Sequence, residues 1–184
     1  MIKIEAYAVV CENDCIADAT GAMPPELKND AEWDFFQAGL ARADVAVLGR
    51  KSHEITPNPK ERRRLILSRR VARAEWEDAR TVIWNPEGAR LALALEMFDA
   101  PVSSLAITGG QGVFDYFLAH ENGYTQFHLS RLKDVYLKGG TKLFSALNGG
   151  GNTPESLLKA AGYRPGAYRE LDERASVVSW HKAP

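Results

Sequence analysis

Two glycine-bearing stretches carry the residue types that hold phosphate. The first is Val45-Ala46-Val47-Leu48-Gly49-Arg50-Lys51-Ser52, an apolar run followed by a glycine, two cations and a hydroxyl. The second is Leu105-Ala106-Ile107-Thr108-Gly109-Gly110-Gln111-Gly112-Val113-Phe114. Each reads as a buried strand running into a helix N-terminus. Such a terminus presents unpaired N–H groups and a partial positive charge, and both suit an anionic oxygen. Glycine lets the backbone approach a pyrophosphate because no Cβ intervenes. Two termini of this kind, about sixty residues apart, describe a clamp on a dinucleotide.

The elements that must position this clamp follow from the chain's patterning. A length of 184 residues, 45% apolar and 26% charged, fits one globular domain over 1–184. The net charge of −1 gives no bulk footprint for nucleic acid or an acidic membrane. No apolar stretch reaches the roughly 20 residues that span a bilayer. Met1 to Glu5 enters a strand pattern with no signal-peptide core, so a cytoplasmic location is expected. Cys11 and Cys15 lack a second ligand pair, and His53, His120, His128 and His181 are scattered, so no metal site is expected.

Strands are expected at 2–10, 45–48, 64–68, 81–84, 105–108 and 125–132. Helices are expected from Asn29 or Asp30 to about Ala43, with Trp33, Phe36 and Leu40 inward, and at 51–55, 86–98 and 111–120. Residues 12–25 read as a long loop, and 69–80 as a polar connection. Tyr168 to Leu171 and Ser176 to His181 read as a final antiparallel pair. The class is therefore α/β, with a mostly parallel central sheet and a C-terminal antiparallel strand pair.

Taken in order, these segments resemble dihydrofolate reductase and its relative, the reductase domain of riboflavin biosynthesis, over roughly Ile2 to Phe144. Leu48-Gly49-Arg50-Lys51-Ser52 matches the family's strand–Gly-Arg–helix motif. Residues Ile107 to Phe114 match its second glycine motif, and His128-Leu129-Ser130-Arg131 resembles the late strand that carries a pocket hydroxyl. The resemblance implies a three-layer dihydrofolate-reductase-like fold and NADPH as cofactor. A general dinucleotide fingerprint fits less well, because Asp115 stands where it wants a glycine or small residue.

The resemblance also implies roles. Gly49, Arg50, Lys51, Ser52, Ser68, Thr108, Gly109, Gly110, Gln111, Gly112 and Val113 would bind the cofactor, with Ser52 and the Gly110 and Gln111 backbone at the pyrophosphate. Arg50, or Arg69 or Arg70 next to Ser68, would read its 2′-phosphate with guanidinium donors. Ile16 and Ala17 would meet the carboxamide. Glu32, followed by Phe36 and Gln37, would be the pocket acid, with Asp30 as its rival. A carboxylate there accepts two hydrogen bonds from a 2-amino-4-oxo pyrimidine edge and favours protonation of the reduced imine. Burial against Phe36 and Met23 would raise its pKa, and Ser130 would bond it. Phe36, Met23 and Ile55 would line the substrate pocket, and Arg62 would grip an acidic tail. The alternative for Glu61-Arg62-Arg63-Arg64 is a basic loop.

The implied activity is hydride transfer from NADPH to 7,8-dihydrofolate or a related pterin. One alternative is a riboflavin-type reductase of a ribosylaminopyrimidine phosphate, with Arg62-Arg63-Arg64 meeting the phosphate. Another is a non-catalytic NADPH-binding protein. Relatives of the riboflavin type imply a possible homodimer through an edge strand. Three departures stand out: Ala17 replaces a usual glycine, Pro25 a tryptophan common in bacterial enzymes, and Phe114 a frequent tyrosine.

Overall fold

The computed structural model describes residues 2–120 and 123–183. The chain begins with β1 (Lys3–Val10), β2 (Cys15–Ala17), α1 (Asp30–Arg42), β3 (Val45–Gly49) and α2 (Arg50–Ile55). It continues through β4 (Arg64–Leu67), β5 (Ala74–Asp78), β6 (Thr81–Trp84), α3 (Leu91–Leu95), β7 (Ser104–Gly109) and α4 (Gln111–Ala119). It ends with β8 (Gln126–Leu132), β9 (Thr141–Lys142), α5 (Pro154–Ala160), β10 (Tyr163–Glu170) and β11 (Ala175–Lys182).

Nine strands form one sheet in the order β10-β11-β8-β1-β7-β3-β4-β6-β5. The run from β8 to β6 is parallel throughout. β10 and β11 close one edge antiparallel, and β5 closes the other. The central strands are apolar on both faces because both faces are covered. One face packs Trp84, Phe98, Phe114, Phe117 and Phe127 against α3, α4 and α5. The opposite face sets Tyr7 and Ala106 beneath Leu40, Phe35 and Phe36 of α1. The fold is thus a three-layer α/β arrangement. Among the described residues no helix is long and apolar enough to cross a membrane.

Several expected elements shift. The helix expected over 86–98 shortens to α3, because Asn85 turns the chain first. Its carbonyl accepts from Gly88 and Ala89, and its Oδ1 accepts from Glu87 N at 3.1 Å. The polar connection over 69–80 contains β5, which is mostly exposed and hairpins onto β6. The loop over 12–25 contains β2, paired with β9 in a separate two-stranded sheet. β10 starts earlier than expected and passes through Pro165 and Gly166, where the register slips, as an edge strand permits. Helix α5 escaped the reading although Thr153 caps it, in a capping box with Ser156.

Candidate active site

Parallel strands deliver their C-terminal ends to one edge of the sheet, where loops and helix N-termini gather. A groove of about 840 Å³ lies there. β3 leads into Gly49, Arg50, Lys51 and Ser52 on its wall. β4 leads into Ser68, Arg69 and Arg70, and β7 leads through Gly110 into Gln111, Gly112 and Val113 of α4. Ile16 and Ala17 line the groove from β2. Thr108 and Gly109, expected among the cofactor-binding residues, line the neighbouring pocket. Gly109 has φ +117°, and a Cβ on it would press the Phe114 ring at 3.3 Å, so both backbone and space call for glycine. Arg50 is ion-paired with Glu54, which leaves Lys51, Arg69 and Arg70 as the less committed cations among the described residues of the groove.

The neighbouring pocket holds about 220 Å³, and Glu32, Phe36, Met23 and Ile55 are among its lining residues. Ile16, Ala17, Gly21, Ser52 and Gly110 line both spaces, so groove and pocket meet. Tyr7, Ala8, Val9, Trp33, Leu48 and Thr56 also line it, and their sequence pattern gave no sign of this. Trp33 was expected inside the fold, but it is 52% exposed at this pocket, with its ring 5.5 Å from that of Phe36. Among the described residues that line the pocket, none is lysine or arginine.

Glu32 is the acid that α1 aims into this pocket, whereas Asp30 lines neither space. Asn29 fixes where the helix starts: its Oδ1 accepts from Glu32 N at 2.9 Å. The Glu32 side chain is buried, and loss of water raises its pKa from 4.5 to about 7. A hydrogen bond from Ser130 on β8 opposes the rise without cancelling it. Ser130 is itself buried and lines neither space, so it reaches the site only through Glu32.

Arg62 does not line the pocket. Its Nη2 donates to Gln37 Oε1 at 3.2 Å, bridging the segment before β4 to α1 just past Phe36. Arg63 turns away to Ala100 O and the Phe98 ring. Arg64 is buried and donates to Thr56 O, Pro57 O and His53 Nδ1, each at 3.0 Å. That arrangement puts the His53 proton on Nε2, facing Glu77 Oε2 at 2.7 Å. Arg64 therefore staples the end of α2, and with it Ile55 and Thr56 at the pocket wall. The three arginines do not converge on one phosphate.

The segment over the junction is folded on itself. Asp18 Oδ1 accepts from Thr20 N and Ala22 N, and Thr141 Oγ1 donates to Asp18 O at 3.0 Å. Gln111 Nε2 donates to Lys142 O at 3.0 Å, joining α4 to β9. These bonds tie Ile16, Ala17 and Gly21 to the glycine motif across the groove.

No protein-family profile and no curated protein matches the chain. Solved structures do match. One is a diaminohydroxyphosphoribosylaminopyrimidine deaminase/5-amino-6-(5-phosphoribosylamino)uracil reductase from Thermotoga maritima, 16% identical with a TM-score of 0.66. The match covers 99% of this chain but only 57% of that one. A putative riboflavin biosynthesis protein from Shewanella sp. PV-4 is 17% identical, with a TM-score of 0.65 and 100% of both chains covered. Dihydrofolate reductase from Enterococcus faecalis, complexed with NADP(H), is 15% identical with a TM-score of 0.65, covering 99% of this chain and 97% of that one. At these identities the likeness is one of architecture: the chain has the dihydrofolate-reductase-like fold.

Proposed function

We propose that this protein is an NADPH-dependent oxidoreductase that transfers hydride to 7,8-dihydrofolate or a closely related pterin. The observation that carries the reading is Glu32, a buried carboxyl in an aromatic pocket that opens onto a phosphate-type groove. The groove fits the cofactor in three ways. Gly110 leaves its wall open, since a Cβ there would meet only Ser52 Oγ at 3.8 Å. The N-terminus of α4 offers N–H groups to the pyrophosphate. Arg69 and Arg70 offer guanidinium donors to the 2′-phosphate. When bound, the nicotinamide supplies the hydride.

The chain's own residues then orient and protonate. Phe36 and Trp33 supply aromatic surface for a planar substrate. Near neutral pH Glu32 still holds a proton, and the carboxylate left once that proton has gone to the substrate accepts two hydrogen bonds from the amino-pyrimidine edge. That proton reaches the reduced imine nitrogen through the substrate's oxo group or a water. The 16–23 segment covers the junction and excludes bulk water.

A ribosylaminopyrimidine phosphate is the second substrate reading, favoured by the fold likeness to riboflavin-type proteins. Its phosphate needs a cation, and among the described residues the pocket wall supplies no lysine or arginine. The test is turnover of NADPH with each substrate in parallel. Oxidation with dihydrofolate alone supports the first reading, and oxidation with the pyrimidine phosphate alone supports the second. NADPH binding with neither turnover is the outcome of a non-catalytic binding protein.

A further inference from the structure

Gly39 sits in the interior of α1, where glycine costs about 1 kcal/mol relative to alanine. A Cβ at this position would lie 2.6 Å from Tyr7 Oη and closer still to Cζ and Cε1 of the same ring. The Tyr7 ring therefore occupies the place where a side chain of α1 would stand. It is held there from several sides. It stacks on His128 with centroids 4.6 Å apart, and meets Phe36 edge-on at 6.2 Å. Its hydroxyl donates to Glu5 Oε2 at 3.1 Å and accepts from Arg42 Nη2 at 3.4 Å.

Glu32, Phe36 and Gly39 are separated by four and then three residues, so they share one stripe of the helix. At 1.5 Å of rise per residue, Gly39 lies about 10 Å along the axis from Glu32. The depth at which α1 seats over Tyr7 therefore sets the depth at which Glu32 enters the pocket. We propose that Tyr7 and Gly39 form a ring-in-notch seat that positions Glu32 and Phe36 against the substrate. Gly39 is a positioning residue acting through α1, whereas Tyr7 also lines the pocket, so the coupling between the two positions, not the Tyr7 change alone, reads the seat. The inference rests on Glu32 being the pocket acid.

The test is a double-mutant cycle. Gly39→Ala forces α1 away from the sheet, exposes Glu32 to water and lowers kcat/KM about tenfold or more. Tyr7→Leu removes the distal ring atoms, so Gly39→Ala in that background changes kcat/KM less than about threefold. Tyr7→Phe keeps Cζ and Cε1, so it does not relieve the alanine. If Gly39→Ala does not fold alone, the Tyr7→Leu/Gly39→Ala protein must still fold. The Glu32 carboxyl, titrated by carboxyl-selective NMR without substrate, reads the seat independently of turnover. Among the described residues only Ser130 adds a polar effect to its burial, and no charged side chain does. Gly39→Ala lowers that titration by about one pH unit, and Tyr7→Leu removes the effect of the alanine. An unchanged titration and rate in Gly39→Ala overturns the inference, as does a Tyr7→Leu background that leaves the penalty intact. If turnover with pterins is absent but the titration cycle holds, the substrate reading has failed and the seat has not.

Discussion

Ser130 on β8 and Glu32 on α1 are both buried, and hydrogen bonding from the serine hydroxyl holds the Glu32 carboxyl down against the rise that burial imposes. Burial outweighs the bond, so the carboxyl titrates near 7 rather than 4.5. Between those values the folded protein holds a proton that the unfolded chain has released. Stability from this group is full below about 4.5 and lost as pH rises through about 7. Glu32→Gln therefore gains stability relative to the parent on going from pH 5 to pH 8, by at most about 3 kcal/mol. Urea unfolding at the two pH values checks this. Equal differences at both would contradict a buried, proton-holding Glu32.

His128 carries the opposite dependence. Desolvation lowers it from 6.5 to about 4, although the Glu5 charge pulls the other way. Arg42, His181 and Lys3 add to the lowering, and Ser179 Oγ sits 2.8 Å from Nδ1. As pH falls from about 6.5 toward about 4, the unfolded chain takes a proton that the folded chain refuses, so stability falls. His128→Gln should lose less stability than the parent between pH 7 and pH 5. Acid unfolding curves that superimpose would show that His128 does not drive this loss.

Arg69 and Arg70 should act on the cofactor alone. Replacing both by alanine is expected to raise KM for NADPH about tenfold or more, since hydrogen bonds to charged groups contribute roughly 1.5–3 kcal/mol. KM for NADH should change less than about threefold. An equal rise for both cofactors would mean that the pair supports the fold rather than reading the 2′-phosphate.

Arg62 and Gln37 offer a test of substrate length. If their bridge meets an acidic tail, Arg62→Ala raises KM for dihydrofolate about tenfold and leaves a tail-less dihydropterin unaffected. The same change with both substrates would place Arg62 among the structural arginines, beside Arg64.

Much of this was legible in the sequence because backbone-driven features leave strong marks. Apolar runs ending in glycine gave β3, β7 and the groove wall. The choice between Glu32 and Asp30 was not legible, since it turns on where Asn29 caps α1. Trp33 was misread because 33, 36 and 40 share a helical stripe, while the face that meets the sheet and pocket floor runs through 32, 36, 39 and 40. The three consecutive arginines look alike in sequence, and only the carbonyls around Arg64 single it out as a staple. β5 was missed because its exposed, charged residues carry little hydrophobic signal.

The most direct test of the account is NADPH oxidation with 7,8-dihydrofolate by the parent protein and Glu32→Gln, read across pH with NADPH affinity measured alongside. The account predicts turnover by the parent that declines as pH rises through about 7. It predicts at least about a hundredfold loss of kcat in Glu32→Gln, with NADPH binding unchanged. Full activity in Glu32→Gln, or no turnover by a parent that binds NADPH, would contradict it.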